Sequence, residues 1–328
     1  MANTKEQVLR FLENSAGKHI SGEKLAQSLG VSRNAIWKAV RSLRAEGFDI
    51  QAVTNRGYCL VKDADSLSAH RICSHLPESH PFHLVVRSVV GSTNTEGRRW
   101  AAQGAKEGTV IVAEEQTNGR GRVGKSFFSP PRTGLYLSIV LRPSIRADQA
   151  QFLTTMAAVA CARAIESVTD QHAGIKWVND IYCNDSKVAG ILTEGSVDME
   201  SGLLEYAVLG VGINVREPEK GFPQEISERA GSLEGQLGFD VPRNLLAAAF
   251  LKEFWALYTE LPNRNYYEEY RRRCFVLGSH VIVKRGNRRL RAKAVDLTKD
   301  FELVIELPDK TRAALPFGEI SAPAPPNR

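Results

Sequence analysis

The spacing of apolar and polar positions changes along the chain and predicts three kinds of structure in succession. Near the N-terminus apolar residues recur at intervals of three and four, which is the period of an amphipathic helix. One such apolar face contains Ile36, Val40 and Leu43, while Ser21 and Ser32 stand at N-cap positions. The pattern predicts three helices, Lys5–Glu13, Gly22–Leu29 and Arg33–Glu46.

A β-hairpin is predicted directly after these helices. Phe48–Val53 and Tyr58–Val61 have the composition of short strands, and Thr54-Asn55-Arg56-Gly57 between them is typical of a turn. Two helices joined by a short turn and followed by a hairpin form a winged helix-turn-helix, whose second helix enters the major groove of DNA. We therefore expect a DNA-binding domain over 1–62, although a small helical domain that binds a protein would have the same pattern.

The third helix has a polar face apart from its apolar one, and this face is the predicted DNA-reading surface. Trp37 is unusual there, because a polar side chain reads base edges better, and it could instead pack against the wing. The residues predicted to contact DNA are Ser32, Arg33, Asn34, Trp37, Lys38 and Arg41.

The middle of the chain, after a polar linker at Lys62–Ala69, mixes strands with long helices. Leu135–Leu141 and Ala207–Ile213 are dense in apolar residues, as expected of a sheet that helices cover on a face. We expect one catalytic domain over 67–273. Its predicted strands are Leu84–Val90, Thr109–Glu115, Gly134–Leu141, Lys187–Glu194 and Leu204–Val215, and its predicted long helices are Ala147–Val168 and Arg243–Thr259.

After Leu277 the pattern changes to short strands separated by turn residues such as Gly286-Asn287 and Pro308-Asp309. Such a series predicts a small closed β-barrel over 277–321. The predicted strands are Ser279–Lys284, Arg288–Leu297, Glu302–Leu307 and Thr311–Ile320.

Composition narrows the class of protein. The chain has 328 residues, which suits two domains or three small ones, and no apolar run approaches the roughly 20 residues of a membrane span. Its five cysteines are scattered and form no Cys-x-x-Cys pair. This usage favours a reduced, cytoplasmic protein over a disulfide framework or a cysteine zinc site.

Charge is distributed unevenly. The net charge is +6, yet residues 271–293 contain nine Lys or Arg and no acidic residue, and the first 61 residues are also basic. The middle of the chain is therefore acidic. One of the basic ends could meet nucleic acid, while a solvated charged surface is the alternative.

The segment Gln116–Lys125 carries the sharpest local signal. Its three glycines allow successive backbone N–H groups to converge on an anion, and Arg120, Arg122 and Lys125 add positive charge. Because the segment follows a predicted strand, it is interpreted as a loop that folds over a phosphate or a carboxylate. A flexible surface loop and a nucleic-acid-binding segment are the alternatives.

Two further segments contain polar or glycine residues where apolar strands are expected. Lys176-Trp-Val-Asn179-Asp180 is followed by Lys187, which begins an apolar strand, so its stem can be buried while its ammonium reaches a site. In Gly210-Val-Gly-Ile-Asn214 two glycines within a strand predict the close approach of another backbone or of a ligand.

Together and in this order, these blocks resemble the signature of biotin–protein ligases: GRGR-x-G at 119–124, KW-x-ND at 176–180, K-x-x-G-I-L at 187–192 and G-x-G-I-N at 210–214. Gly91-Ser92-Thr93-Asn94 and the closing Phe317–Ser321 are similar to further segments of that family. The N-terminal winged helix resembles the branch whose members also repress the biotin operon. The resemblance implies an α+β fold: a winged helix-turn-helix, a central mixed sheet with helices of the class II synthetase-like biotin ligase type, and a C-terminal SH3-like barrel.

The resemblance also implies roles for individual residues, with Lys187 and Arg122 as the catalytic pair. The implied biotin-binding residues are Ser92, Thr93, Asn94, Gln116, Arg120, Gly121, Arg122 and Lys187. The implied ATP-binding residues are Phe127, Lys176, Asn179, Asp180 and Asn214. The chain departs from the family pattern where Val123 and Lys125 replace arginines, Phe127 replaces a tryptophan and Val178 replaces a proline.

The implied substrates are biotin and ATP, the latter with Mg²⁺, and the implied partners are the biotin carboxyl carrier protein of acetyl-CoA carboxylase and operator DNA. A homodimer is expected when ligand is bound. Three other interpretations stay open from sequence: a repressor that only senses biotin, a ligase whose winged helix no longer binds DNA, and a lipoate or octanoate transferase, which shares the central fold.

Overall fold

The computed structural model describes residues 4–45, 48, 50–61, 65–285, 288–316 and 318–321. It divides the chain into two compact units, Met1–Ser66 with Arg87–Val89 and Leu67–Val86 with Val90–Arg328. The predicted division of the second unit into domains at 67–273 and 277–321 stays a prediction. Some predicted features lie outside the described residues: Glu46 at the end of the third helix, the start of the linker at 62–64, the turn Gly286-Asn287, and Phe317.

The first unit has the predicted order of three helices and a hairpin. Ser21 Oγ accepts a hydrogen bond from the Lys24 N–H (3.1 Å), and Ser32 Oγ accepts one from the Ala35 N–H (3.2 Å), so both predicted N-caps are confirmed. The predicted apolar face is buried, since Ile36, Val40 and Leu43 are at most 2% exposed. The elements are α1 (Thr4–Glu13), α2 (Gly22–Leu29), α3 (Arg33–Ala45), β1 (Ile50–Val53) and β2 (Gly57–Leu60).

The second unit is built on a seven-stranded sheet in the order β3-β4-β5-β9-β8-β7-β6. From β4 to β6 every neighbouring pair in this order is antiparallel. The strands are β3 (His83–Val90), β4 (Thr109–Gln116), β5 (Gly134–Leu141), β6 (Ala173–Lys176), β7 (Asp180–Cys183), β8 (Ser186–Val197) and β9 (Leu204–Asn214). The five strands predicted in this region are confirmed, while the β6–β7 hairpin was not predicted.

Helices cover this sheet, and two long ones form its main apolar layer. The stretch Ala147–Thr169 is apolar and long enough to cross a membrane, but 72% of the apolar window is buried, as in a core helix. Its first turn, Ala147–Gln149, is a 3₁₀-helix. The helices are α4 (Ala69–Cys73), α5 (Thr93–Ala102), α6 (Gln151–Thr169), α7 (Gln224–Ser227), α8 (Leu233–Leu237), α9 (Arg243–Tyr258) and α10 (Tyr267–Arg273).

The C-terminal strands form an antiparallel sheet in the order β13-β12-β11-β10-β14, and no closed barrel is present among the residues that the structure describes. The predicted strand Thr311–Ile320 is wrong. It is two strands on opposite edges of the sheet, because Pro316 has no N–H to donate and interrupts the ladder. An SH3-like barrel therefore stays unconfirmed. The strands are β10 (His280–Arg285), β11 (Arg288–Leu297), β12 (Leu303–Glu306), β13 (Arg312–Leu315) and β14 (Glu319–Ser321).

Candidate active site

One cavity of about 260 Å³ opens at an end of the seven-stranded sheet. The register explains why polar residues from distant segments meet there: Gly134 pairs with Asn214, Ala189 with Ile213, and Asp180 with Gly190. Thirteen residues that the sequence assigned to biotin or ATP all line this cavity. They are Ser92, Thr93, Asn94, Gln116, Arg120, Gly121, Arg122, Phe127, Lys176, Asn179, Asp180, Lys187 and Asn214.

The two glycines in β9 leave room for side chains. A Cβ atom on Gly210 would lie 2.0 Å from Asn94 Oδ1, and one on Gly212 would lie 2.6 Å from Phe127 Cε1. The close approach that the sequence predicted is therefore made by Asn94 and Phe127, rather than by another backbone. Without these glycines neither side chain could occupy its present position in the cavity wall.

The wall at the start of α5 is a hydrogen-bonded network. Gln116 Oε1 accepts from the Thr93 N–H (2.9 Å) and hydroxyl (3.1 Å), and Gln116 Nε2 donates to Ser129 Oγ (2.9 Å). The buried hydroxyl of Ser138 is 2.8 Å from Thr93 Oγ1 and 2.7 Å from Asn94 Oδ1. Because these bonds fix the polar groups before a ligand arrives, the wall is preorganised for recognition.

Each cation that the sequence assigned to the reaction is held by a different partner. Lys187 Nζ is 2.6 Å from Asp180 Oδ1, whereas Arg122 Nη1 donates to the neutral amide of Asn179 (Oδ1, 3.0 Å). The Asn179 side chain is itself fixed, since its Nδ2 donates to Ile191 O (2.9 Å). Among the residues that the structure describes, Arg122 forms no ion pair, while the charge of Lys187 is partly offset by a carboxylate.

Arg120 has a separate anchor in Glu194, a residue of β8. Its Nη2 lies 3.0 Å from Glu194 Oε1, and Arg98 Nη1 on α5 is 3.4 Å from the same oxygen. Asn94 Nδ2 donates to the other carboxylate oxygen of Glu194 (2.9 Å). Glu194 thus joins the Gly-rich loop to α5, a contact that the sequence did not predict.

The part of the cavity around Lys176 has an excess of positive charge. Burial lowers the pKa of the Lys176 ammonium below its ordinary value; Asp180 opposes the shift, while Lys187, Arg229 and Lys125 add to it. The ammonium lies 5.8 Å from the centre of the Tyr182 ring. A lysine whose charged form is disfavoured mainly by burial, and further by neighbouring cations, marks a place where an anionic ligand would be stabilised.

A further stretch of chain lines the cavity without having been predicted. Phe222, Ile226, Arg229 and Ala230 lie there, and the Lys187 N–H donates to Arg229 O (2.7 Å). Sequence reasoning missed this stretch because it has no periodic pattern and no recognisable motif. The C-terminal sheet also reaches the cavity, through Lys284, Gly318, Ile320 and Ser321.

The first unit presents the second predicted surface. All six residues predicted to contact DNA, at positions 32, 33, 34, 37, 38 and 41, are exposed. Trp37 is 49% exposed, and the Arg41 guanidinium lies 5.4 Å from the centre of its ring. The helix therefore buries its apolar face and presents its basic, polar one.

Comparisons with known proteins find relatives for the region that contains the cavity and for the N-terminal helical region. A model of the biotin/lipoate A/B protein ligase family matches residues 86–214, and a model of an HTH domain matches residues 4–59. The chain is 36% identical to the bifunctional ligase/repressor BirA of Bacillus spizizenii over 240 residues, and the matched region covers 73% of each chain. It is 32% identical to the protein of that name from Escherichia coli, over 73% of this chain and 72% of the other. The biotin protein ligase of Aquifex aeolicus, solved in complex with biotin and ATP, has a TM-score of 0.63 at 27% identity and covers 74% of this chain and 99% of its own.

Proposed function

Since this chain belongs to the family of bifunctional ligase/repressor proteins, we propose that it joins biotin to protein with ATP and represses transcription through its winged helix. The observation that carries the proposal is the convergence on one cavity of the thirteen residues that the family resemblance assigns to biotin and ATP. The exposed basic face of α3 supports the second activity. Each of the two activities thus has a surface of its own.

The first step is the adenylation of biotin. The biotin carboxylate attacks the α-phosphorus of ATP, the bond to the β-phosphate oxygen breaks, and pyrophosphate leaves. Two anions must come within bonding distance, so catalysis consists mainly of positioning and of neutralising charge. Arg122 and Lys187 are proposed to supply that charge. Arg122 is hydrogen-bonded to the neutral amide of Asn179, which does not offset its charge, and Lys187 is paired with Asp180.

The remaining assigned residues divide between the two substrates. Ser92, Thr93, Asn94, Gln116, Arg120 and Gly121 are proposed to form the biotin side, and the fixed hydrogen bonds of Gln116 suit a rigid pocket wall. Phe127, Lys176, Asn179, Asp180 and Asn214 are proposed to form the nucleotide side. The surroundings of Lys176 support this assignment: burial, and to a lesser degree Lys187, Arg229 and Lys125, lower its pKa, and an arriving triphosphate would stabilise its charged form.

The Mg²⁺ ion is proposed to enter with ATP, since it commonly bridges phosphate oxygens and is bound by few protein carboxylates. No group of three or more His, Cys, Asp or Glu that could hold a metal occurs among the residues that the structure describes.

The second step transfers biotin to a lysine. The acceptor amine attacks the acyl carbon of the biotinyl-adenylate, the acyl–phosphate oxygen bond breaks, and AMP leaves while the amine loses a proton. Water would hydrolyse the same mixed anhydride, so the Gly-rich loop is proposed to cover it. The acceptor is proposed to be the carrier domain of acetyl-CoA carboxylase, in the cytoplasm. The ligand-bound protein is proposed to dimerise, which would place two copies of α3 on a two-fold operator.

The experiment is biotin-dependent exchange of labelled pyrophosphate into ATP, with lipoate as the competing acid. Exchange that requires biotin and is not supported by lipoate is the expected result. Exchange with lipoate alone would favour a lipoate ligase, and an absence of exchange together with biotin binding in calorimetry would favour a sensor. A gel shift with the chain's own promoter region, with and without biotin and ATP, tests the repressor activity.

A further inference from the structure

The turn that joins β11 to β12 contains a phenylalanine in a backbone conformation that large residues rarely adopt. Phe301 has a φ of +63°, in the left-handed region, and its side chain is fully buried (0% exposed). Such a conformation costs free energy and persists only where the surrounding structure holds it in place. The two activities proposed above give Phe301 no role, so its neighbours must show what the conformation achieves.

Four aromatic rings hold the Phe301 side chain. Tyr266 stacks on it with the ring centres 5.1 Å apart, and Tyr270 of α10 meets it edge-on at 5.2 Å. Tyr267 (5.4 Å) and Phe152 (6.0 Å) complete the enclosure. We name the group Phe152, Tyr266, Tyr267 and Tyr270 the aromatic cage. Because aromatic pairs stabilise a structure beyond the area that they bury, the cage can offset the cost of the strained turn.

The backbone of Phe301 contacts the 176–180 segment of the active site. Its carbonyl oxygen accepts a hydrogen bond from Trp177 Nε1 (2.9 Å) and a second one from Gln151 Nε2 (3.0 Å). The Trp177 side chain is buried (4% exposed), and a buried donor without an acceptor would be costly. The turn at Phe301 thus fixes the position of the Trp177 ring.

The aromatic cage holds the same segment at the next residue. The Tyr270 hydroxyl donates to the carbonyl oxygen of Val178 (3.1 Å). Burial raises the pKa of the Tyr270 hydroxyl well above its ordinary value, so the hydroxyl keeps the proton that it donates. The cage and the turn that it encloses therefore anchor two consecutive residues of the 176–180 segment.

The two residues that follow hold the cations assigned to adenylation. Asn179 Oδ1 accepts a hydrogen bond from Arg122 Nη1 (3.0 Å), and Asp180 Oδ1 lies 2.6 Å from Lys187 Nζ. A displacement of the 176–180 segment would therefore move the partners of both cations. The aromatic cage and the residue that it encloses lie outside the lining of the cavity, so their effect on a substrate must pass through this segment.

From this chain of contacts we propose that Phe301 is a positioning residue for adenylation, because it fixes the 176–180 segment that holds Arg122 and Lys187. The inference rests on the proposed ligase function and adds a residue to it. The left-handed turn has a purpose in this account, since it directs the Phe301 ring into the cage and its carbonyl to Trp177. The alternative is that Phe301 only fastens the C-terminal sheet to the rest of its unit.

The first test compares Phe301→Leu with Phe250→Leu, since Phe250 on α9 is an equally buried phenylalanine (0% exposed) outside the cage. Both changes should lower the melting temperature, because each leaves space in a packed core. Only Phe301→Leu is expected to lower kcat/KM for ATP in biotin-dependent pyrophosphate exchange, by about tenfold or more, because small displacements of reacting groups are costly. The affinity for biotin without ATP should change less, because Thr93 and Gln116 keep their own bonds.

A second test removes a single hydroxyl group. Tyr270→Phe keeps the ring against Phe301 and removes only the bond to Val178 O. The matched control is Tyr267→Phe, which removes the buried hydrogen bond from the Tyr267 hydroxyl to Leu297 O (2.8 Å) in the same cage. Because one hydrogen bond corresponds to a factor of about three to ten, kcat/KM for ATP should fall by that factor in Tyr270→Phe and stay unchanged in Tyr267→Phe.

Equal kinetics with ATP within each pair of variants would overturn the proposal and leave Phe301 as a structural anchor. If Phe301→Leu does not fold, the two tyrosine variants decide between the interpretations. An absence of exchange in the unmodified protein would overturn the ligase function and, with it, this proposal.

Discussion

The proposed DNA-reading face of α3 and the proposed catalytic cavity are built in opposite ways. The six residues of the DNA face lie within ten consecutive positions, 32–41, on one helix and its cap. The cavity draws its residues from positions 92 to 321, and strand pairing brings them together. In the first region the side chains point into solvent and Arg33 lies apart from the Arg41–Trp37 contact, whereas in the second region they share partners. Changes should therefore add up on the DNA face and interact strongly in the cavity.

The largest expected effect comes from Lys187→Ala, which tests the cavity side of this contrast. The change removes a cation that we assign to both reacting anions and leaves Asp180 without its 2.6 Å partner. Removing one such group typically costs about 10²–10³ in rate. Pyrophosphate exchange should fall by that amount while the melting temperature and the gel shift without ligand are kept. Lys106→Ala, at an exposed position, is the control, and normal exchange by Lys187→Ala would return Lys187 to a purely structural role.

The same contrast explains what could be predicted from sequence. One helical period places Ile36 inside and Arg33 outside, so both faces of α3 follow from a short stretch of chain. The cavity residues were identified through a family resemblance, and their partners were not. Glu194 and Arg229 carry no local signal, because the distant segments that meet around them set their roles. The C-terminal strands were predicted, but the predicted barrel stays unconfirmed, because a run of short strands does not reveal whether the sheet closes.

The next largest effect is expected from Arg122→Gly, which tests whether the Gly-rich loop retains the reaction intermediate. Hydrogen bonds to charged groups contribute about 1.5–3 kcal/mol, so adenylation should slow by about tenfold to a hundredfold while Lys187 sustains it. The loop would also lose its bond to Asn179 (3.0 Å) and retain the activated intermediate less well. Incubation with biotin, MgATP and an unrelated lysine-rich protein should then label that protein. A bystander that stays unlabelled while the carrier domain is modified would refute this role for Arg122.

A smaller effect is expected on the DNA face from Arg33→Ala and Arg41→Ala. Each lost phosphate contact should weaken operator binding by about tenfold and lower the slope of log K against log salt by about 0.9. Because the two side chains are separately exposed, their effects should add in the double variant. Pyrophosphate exchange should be unchanged, in contrast to the cavity variants. A strongly non-additive double variant would contradict the contrast between the two regions.

The smallest expected effect belongs to Glu194→Gln, which tests whether Glu194 positions Arg120 of the Gly-rich loop. The change keeps a side chain of the same size and an acceptor for Asn94, but it removes the charge that holds Arg120 at 3.0 Å. Since partly exposed ion pairs contribute up to about 1 kcal/mol, the KM for biotin should rise by no more than about fivefold. Arg98→Gln is the matched control, because Arg98 pairs with Glu194 without lining the cavity. If Glu194 acts by positioning Arg120, Glu194→Gln should have no further effect in an Arg120→Ala background. Additive losses in that background would instead mean that Glu194 supports α5 alone, and the loop would then need another anchor.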